Sequence, residues 1–258
     1  MSNLQGRVAL ITGGGRGIGK MIARLLAQQG MLVGINDVDP GLAATAVQEL
    51  TQEGLRVLAL PGSVSIKSEA YAMVDRAETD LGPLWLLVNN AGVLNAGPTA
   101  ELSEEAWDKA FDVDAKGVFL CSQAAIRKMM PRQQGRIVNI ASIAGLIVRT
   151  AQIAYCSAKA AVVHFTRCLA VEMAPYGITV NCLCPGMTWT QMLSVSARER
   201  GLDLDAMVEL IPAGHMAKEE DHAHLVAFYA SDEASHITGQ VVAVDGAQSL
   251  YHPLMMKR

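Results

Sequence analysis

A doubly wound α/β domain, with seven parallel strands and helices on both faces, is what this 258-residue chain predicts. Three observations point there. Short apolar runs alternate with longer stretches of helical period, as in a parallel sheet wrapped by helices. The first strand meets the first helix through a glycine-rich turn, and an acidic residue closes the second strand. Finally, no linker, internal repeat or low-complexity tract divides the chain, so residues 1–258 read as a single domain.

The strand-like runs are 7–12, 32–36, 56–60, 84–88, 135–141, 178–183 and 240–244, mostly near-continuous in apolar residues as parallel strands buried on both faces are. Helical patterns fill the intervals near 18–29, 40–53, 66–81, 103–130, 154–175 and 219–230. Ile18, Ile22, Leu25 and Leu26 give the first helix one apolar face. Ser103 before Glu104 and Glu105 is an N-cap with an acidic first turn. Pro175 and Gly177 end the helix that carries Tyr155.

Only 187–218 breaks this rhythm, and it does so after the sixth strand, at the carboxyl edge where such sheets bind ligands. Met187, Trp189, Met192, Leu193, Met207, Leu210, Ile211 and Met216 make it apolar and adaptable. Two readings stand: a lid over a substrate, or a packing surface for helices or a neighbouring subunit.

Composition narrows the function. With 51% of its residues in the hydrophobic set, the chain can bury a large core. A net charge of −4 and the absence of a basic block argue against a nucleic-acid partner. The longest apolar runs are too short for a membrane span, and the first residues lack the form of a signal peptide; we expect a cytoplasmic protein. The five cysteines include no Cys-x-x-Cys pair and read as small buried hydrophobes rather than a disulfide framework. Asp221, His222 and His224 cluster, but 222 and 224 point apart on a helix, so we expect no metal.

Two constellations carry chemistry. In Thr12-Gly13-x-x-x-Gly17-Ile18-Gly19, backbone N–H groups at a helix start can meet a pyrophosphate, and Asp37 at the end of the next strand can take ribose hydroxyls. In Tyr155-x-x-x-Lys159, the two side chains share a helix face, so the ammonium can favour the phenolate of a group that normally ionises near pH ~10. Ser142 stands at the end of the fifth strand.

With these motifs the chain resembles the short-chain dehydrogenase/reductase family from Leu4 to Leu250. Asn89-Asn90-Ala91-Gly92, Pro185-Gly186 with Thr190, and Val244-Asp245-Gly246 extend the match. The resemblance implies a Rossmann fold and a catalytic set of Ser142, Tyr155 and Lys159. It implies cofactor contacts from Gly13, Arg16, Gly17, Ile18, Gly19, Asp37, Ser63, Val64, Asn90, Ala91, Gly92, Tyr155 and Lys159. On the nicotinamide side it adds Pro185, Gly186, Thr188 and Thr190. It also implies a homotetramer or homodimer.

In such an enzyme the Tyr155 phenolate takes the alcohol proton as hydride leaves, Lys159 keeps that phenol acidic and holds the nicotinamide ribose, and Ser142 donates to the substrate oxygen. Substrate contacts are expected from Ser142, Arg149, Gln152, Tyr155, Met187 and Trp189. Arg149 could grip a carboxylate, phosphate or sulfonate, or stay solvated. Asp37 repels a 2′-phosphate and favours NAD, whereas Arg16 pulls toward NADP.

Three residues depart from the family pattern. Asp114 stands for a usual Asn and joins the catalytic candidates, since a carboxylate near Lys159 alters its coupling to Tyr155. Ser63 replaces an Asp placed against the adenine, and Ala247 a Gly. The leading reading is an NAD-dependent dehydrogenase of a secondary alcohol (polyol, sugar or hydroxy acid) or of the matching ketone. Its alternatives are an NADPH-dependent 3-oxoacyl thioester reductase and a dinucleotide-binding sensor without turnover.

Overall fold

The computed structural model describes residues 4–199 and 201–251. Among them the sheet has seven parallel strands: β1 (Val8–Ile11), β2 (Leu32–Ile35), β3 (Val57–Ala59), β4 (Leu84–Asn89), β5 (Gly135–Ile140), β6 (Ile178–Pro185) and β7 (Val241–Val244). Their order is β3-β2-β1-β4-β5-β6-β7, so the winding reverses between β1 and β4 and leaves a crevice at the carboxyl ends there.

Both faces are buried, and β1 shows how. Ala9 and Ile11 enter one core with Ile22 and Leu26 of α1 (Gly17–Gln28), Leu50 of α2 (Pro40–Gln52) and Val226 of α9 (Glu219–Ala230). Val8 and Leu10 point the other way, against Val74 of α3 (Lys67–Asp80), Cys121 of α5 (Gly117–Met129) and Leu169 of α6 (Ile153–Met173). Cys182 and Cys184 are buried on β6 with their sulfurs 3.9 Å apart.

The single helix expected over 103–130 is two helices. Ser103 caps α4 (Glu104–Phe111) by accepting from the Ala106 N–H at 3.2 Å, as its sequence implies. A π turn, Asp112–Lys116, then separates α4 from α5. The wider turn admits an extra residue and carries Asp114 to complete burial beneath the cleft.

A polar ladder locks α6 to the sheet. Asn89 donates to Asn139 at 2.8 Å and to Ser122 at 3.0 Å, Asn139 donates to Thr166 at 2.9 Å, and Thr166 donates to the Val162 carbonyl. The 187–218 insert contains α7 (Gln191–Glu199) and α8 (Leu204–Val208) and has its own small cluster of Met187, Ile211 and Met216. Its two ends meet in a parallel bridge between Thr188 and Ala217. Residues 252–258 lie outside the described residues. Among the described residues, no helix is long and apolar enough to cross a membrane.

Candidate active site

A cavity of about 930 Å³ runs along the carboxyl ends of the strands. One end is the turn between β1 and α1. Gly13 adopts φ +60°, and a Cβ there would stand 2.8 Å from Ala91 Cα; Gly19 packs on Asn90 and Gly13 with no room for a Cβ at all. Thr12 and Asn90 knot this turn to β4. The Asn90 amide donates to the Thr12 and Gly13 carbonyls at 3.0 and 2.9 Å, and the Asn90 and Ala91 N–H groups donate to Thr12 Oγ1. Asn90 therefore spends its side chain shaping the turn.

No side chain caps α1, so the N–H groups of its first turn remain available to an anion. Gly13, Arg16, Gly17, Ile18 and Gly19 all line the cavity here. Farther along, Asp37 is buried at the end of β2, held by the N–H groups of Gly15 (3.2 Å) and Asp39 (3.1 Å). Each carboxylate oxygen keeps lone pairs for further donors. Arg16 hydrogen-bonds to Gln191 of the insert at 3.0 Å. Ser63 and Val64 follow β3, with Ser63 Oγ 2.9 Å from Ser65 Oγ.

Asn36 escaped the sequence reading: its buried amide donates to the Leu60 and Gly62 carbonyls at 3.0 and 2.8 Å and sets that loop. Its place beside Asp37 at a strand end was the available signal. A Cβ-free turn, an uncapped helix start and an acid one strand away suit the phosphates and ribose of a dinucleotide.

At the other end stand the reacting groups. Ser142 follows β5, while Tyr155 and Lys159 project from the first turns of α6. Lys159 is buried; its Nζ donates to the Ile140 carbonyl at 3.2 Å, lies 3.6 Å from Asp114 Oδ1 and sits 5.6 Å from the Tyr155 ring centre. Asp114 Oδ1 also accepts from the Val93 N–H at 2.9 Å, and Oδ2 has no partner among the described residues. Gly92 makes this approach possible, since a Cβ there would come within 2.6 Å of Asp114 Oδ1.

These contacts revise the electrostatics expected of Tyr155. Burial pushes the phenol above its ordinary value, and the Asp114 charge pushes the same way; Lys159 and the Ser142 hydroxyl pull against them without prevailing. Lys159 does not make the phenol acidic on its own, because burial outweighs its charge and the Asp114 carboxylate adds to burial. Burial lowers the Lys159 ammonium, but Asp114 and Tyr155 together raise it above its usual value. Burial likewise lifts the Asp114 carboxyl, with Lys159 opposing.

Of the remaining candidates, Ala91, Gly92, Arg149, Gln152, Pro185, Gly186, Met187, Thr188 and Thr190 line the same cavity. Asp114 lies behind its wall. Trp189 is half exposed and is not among the residues lining it. The insert contributes Met192, Leu193, Ala197, Leu202 and Met207 instead.

The model of a family described as short chain dehydrogenase matches residues 7–201. The BbsD subunit of (2S)-[(R)-hydroxy(phenyl)methyl]succinyl-CoA dehydrogenase from Thauera aromatica is 41% identical over 248 residues, 96% of this chain and 98% of that protein. The 3-oxoacyl-[acyl-carrier-protein] reductase FabG of Staphylococcus aureus is 36% identical over 239 residues, 92% and 96% of the two chains. Among solved structures, a variant of actinorhodin polyketide ketoreductase with NADPH superposes with a TM-score of 0.92 at 33% identity, covering 97% of this chain and 100% of that one.

Proposed function

The chain belongs to the short chain dehydrogenase family, and on that premise we propose that it moves a hydride between a secondary alcohol and the nicotinamide of NAD(H). The observation that carries this reading is the placing of Ser142, Tyr155 and Lys159 at one end of a cavity whose other end is an open helix start facing Asp37. Bound nicotinamide supplies or accepts the hydride. The protein's own groups handle the proton: Tyr155 takes it from the alcohol as the C–H bond breaks, or gives it to the ketone oxygen in reduction. Ser142 donates to that oxygen as negative charge grows on it. Lys159 steadies the charge on Tyr155, and the 187–218 insert closes over the substrate.

A phenol held above its ordinary value keeps its proton at neutral pH. Reduction is then favoured near neutrality, while oxidation gains with rising pH. Asp37 supports NAD over NADP, and the bond from Arg16 to Gln191 occupies the cation that would otherwise favour the phosphorylated cofactor. Exposed Phe119 and Val171 on the long helices support a tetramer or dimer, and we place the protein in the cytoplasm. The substrate is a polyol, sugar or hydroxy acid, and Arg149 lines the cavity that receives it.

The second reading, an NADPH-dependent 3-oxoacyl thioester reductase, draws on the similarity to FabG. Following nicotinamide absorbance over a panel of polyols, hydroxy acids and acyl thioesters, each with NAD or NADP, separates the two. Turnover only with the phosphorylated cofactor overturns the first reading. Cofactor binding with no turnover across the panel leaves the sensor.

A further inference from the structure

Thr188 and His222 form a buried polar pair behind the cavity wall. Thr188 is 5% exposed and His222 0%, and Thr188 Oγ1 lies 2.8 Å from His222 Nε2. The same hydroxyl donates to the Gly186 carbonyl at 3.0 Å. A hydroxyl has one proton, so with that proton on the Gly186 carbonyl the bond to His222 is an acceptance and Nε2 carries a hydrogen; burial, which lowers the ring to about 4, keeps it neutral at pH 7. Nδ1 then bears a lone pair, and it has no partner among the described residues. Leaving a buried ring nitrogen unpaired costs stability, which singles out the bond made by its other nitrogen.

That bond acts on one peptide. Through Thr188, His222 holds the Gly186 carbonyl. The other side of the Gly186–Met187 peptide, the Met187 N–H, donates to Gln248 Oε1 at 3.2 Å. Backbone bonds complete the frame: Gly186 N–H to Val244 O at 3.0 Å, Ala217 N–H to Met187 O at 2.9 Å and Trp189 N–H to Ala217 O at 3.1 Å. His222 lies just beyond the exit of the insert and Thr188 just inside its entry, so their bond crosses its base. Gly186, Met187 and Thr188 line the cavity, while His222 does not.

We propose that His222 is a positioning residue which, acting through the Thr188 hydroxyl, fixes the Gly186–Met187 peptide plane against the nicotinamide end of the cavity. The proposal rests on the dinucleotide reading of that cavity. It assigns His222 no contact with substrate or cofactor; its effect is felt in how well the wall is preset for them.

The test compares wild type with Thr188→Val, His222→Leu, the double variant and His222→Gln, measuring the NAD dissociation constant by calorimetry, KM and kcat for NAD, and thermal unfolding. Thr188→Val strands the His222 N–H as well as freeing the carbonyl; His222→Leu frees the hydroxyl. Each single change should raise KM for NAD on the order of tenfold, with a smaller change in kcat. The double variant should be no worse than the worse single, because both remove one interaction. His222→Gln, whose amide can still donate to Thr188, should recover most of the loss.

Lower unfolding temperatures with KM for NAD unchanged would show a merely structural pair and overturn the proposal. Multiplying effects in the double variant would do the same. Should His222→Leu fail to fold, His222→Gln against His222→Asn, whose shorter amide does not reach Thr188, decides the matter. Wild-type protein that binds no dinucleotide would instead remove the functional reading beneath it.

Discussion

The wall formed by β5, the π turn and α6 ties Lys159 and Asp114 to backbone groups by buried hydrogen bonds, whereas the insert facing it packs Met187, Ile211 and Met216 in a small apolar cluster of its own. On the first wall directional bonds recur, from Lys159 on the Ile140 carbonyl down to the ladder from Asn89 to Thr166. On the second, methionines meet the cavity with few directional contacts. Directional bonds fix where a proton goes; a soft apolar surface only sets what fits. The chemistry belongs to the rigid wall and the choice of substrate to the adaptable one.

The largest effect should come from the rigid wall. Tyr155→Phe should lower kcat on the order of 10³-fold while calorimetry finds NAD bound as before. A small loss would place the proton transfer elsewhere.

Acid should expose the base of the insert next. Burial lowers the His222 ring to about 4 from its usual 6.5. Between these values the unfolded chain binds the proton and the folded one does not, so stability is full above pH 6.5 and is lost as pH falls toward 4. The slope should be about 1.4 kcal/mol per pH unit, measurable by urea unfolding, and His222→Gln should flatten it.

Asp37→Ala should reduce the preference for NAD over NADP by about 10- to 100-fold, since it removes charge-assisted hydrogen bonds and a repulsive carboxylate. Equal preference before and after would move cofactor selection to Arg16. Asp114→Asn should shift the alkaline rise of the oxidation rate to lower pH, because it deletes a charge that pushes Tyr155 upward. An unmoved pH–rate curve would rule out that coupling. Smallest of all, Met207→Ala should change substrate KM by no more than about a few fold and leave NAD affinity alone.

Much of the rigid wall was legible in the sequence because its signals are local. A strand, a glycine turn and a helix are contiguous, and Tyr155 and Lys159 are one helical turn apart. The π turn was not legible: residues 112–116 keep an apolar rhythm on both sides, and one extra residue in a turn leaves no mark on composition. Nor was the rise in the Tyr155 phenol, which comes from burial and from a carboxylate 41 positions away. Thr188 and His222 lie 34 residues apart with the whole insert between them, and His222 drew notice only as a candidate metal ligand. Trp189 was expected on the substrate side with its apolar neighbours, but it stays half exposed outside the cavity lining.

The bridge between Thr188 and Ala217 has a further meaning. Because the two ends of the insert meet at one point, everything in between is a cassette. Its length can vary at little entropic expense, about 0.6 kcal/mol for each doubling. A foreign loop grafted between these two residues, with Thr190 and Gln191 kept, would leave Ser142, Tyr155 and Lys159 in place and bring a new shape for the substrate to satisfy.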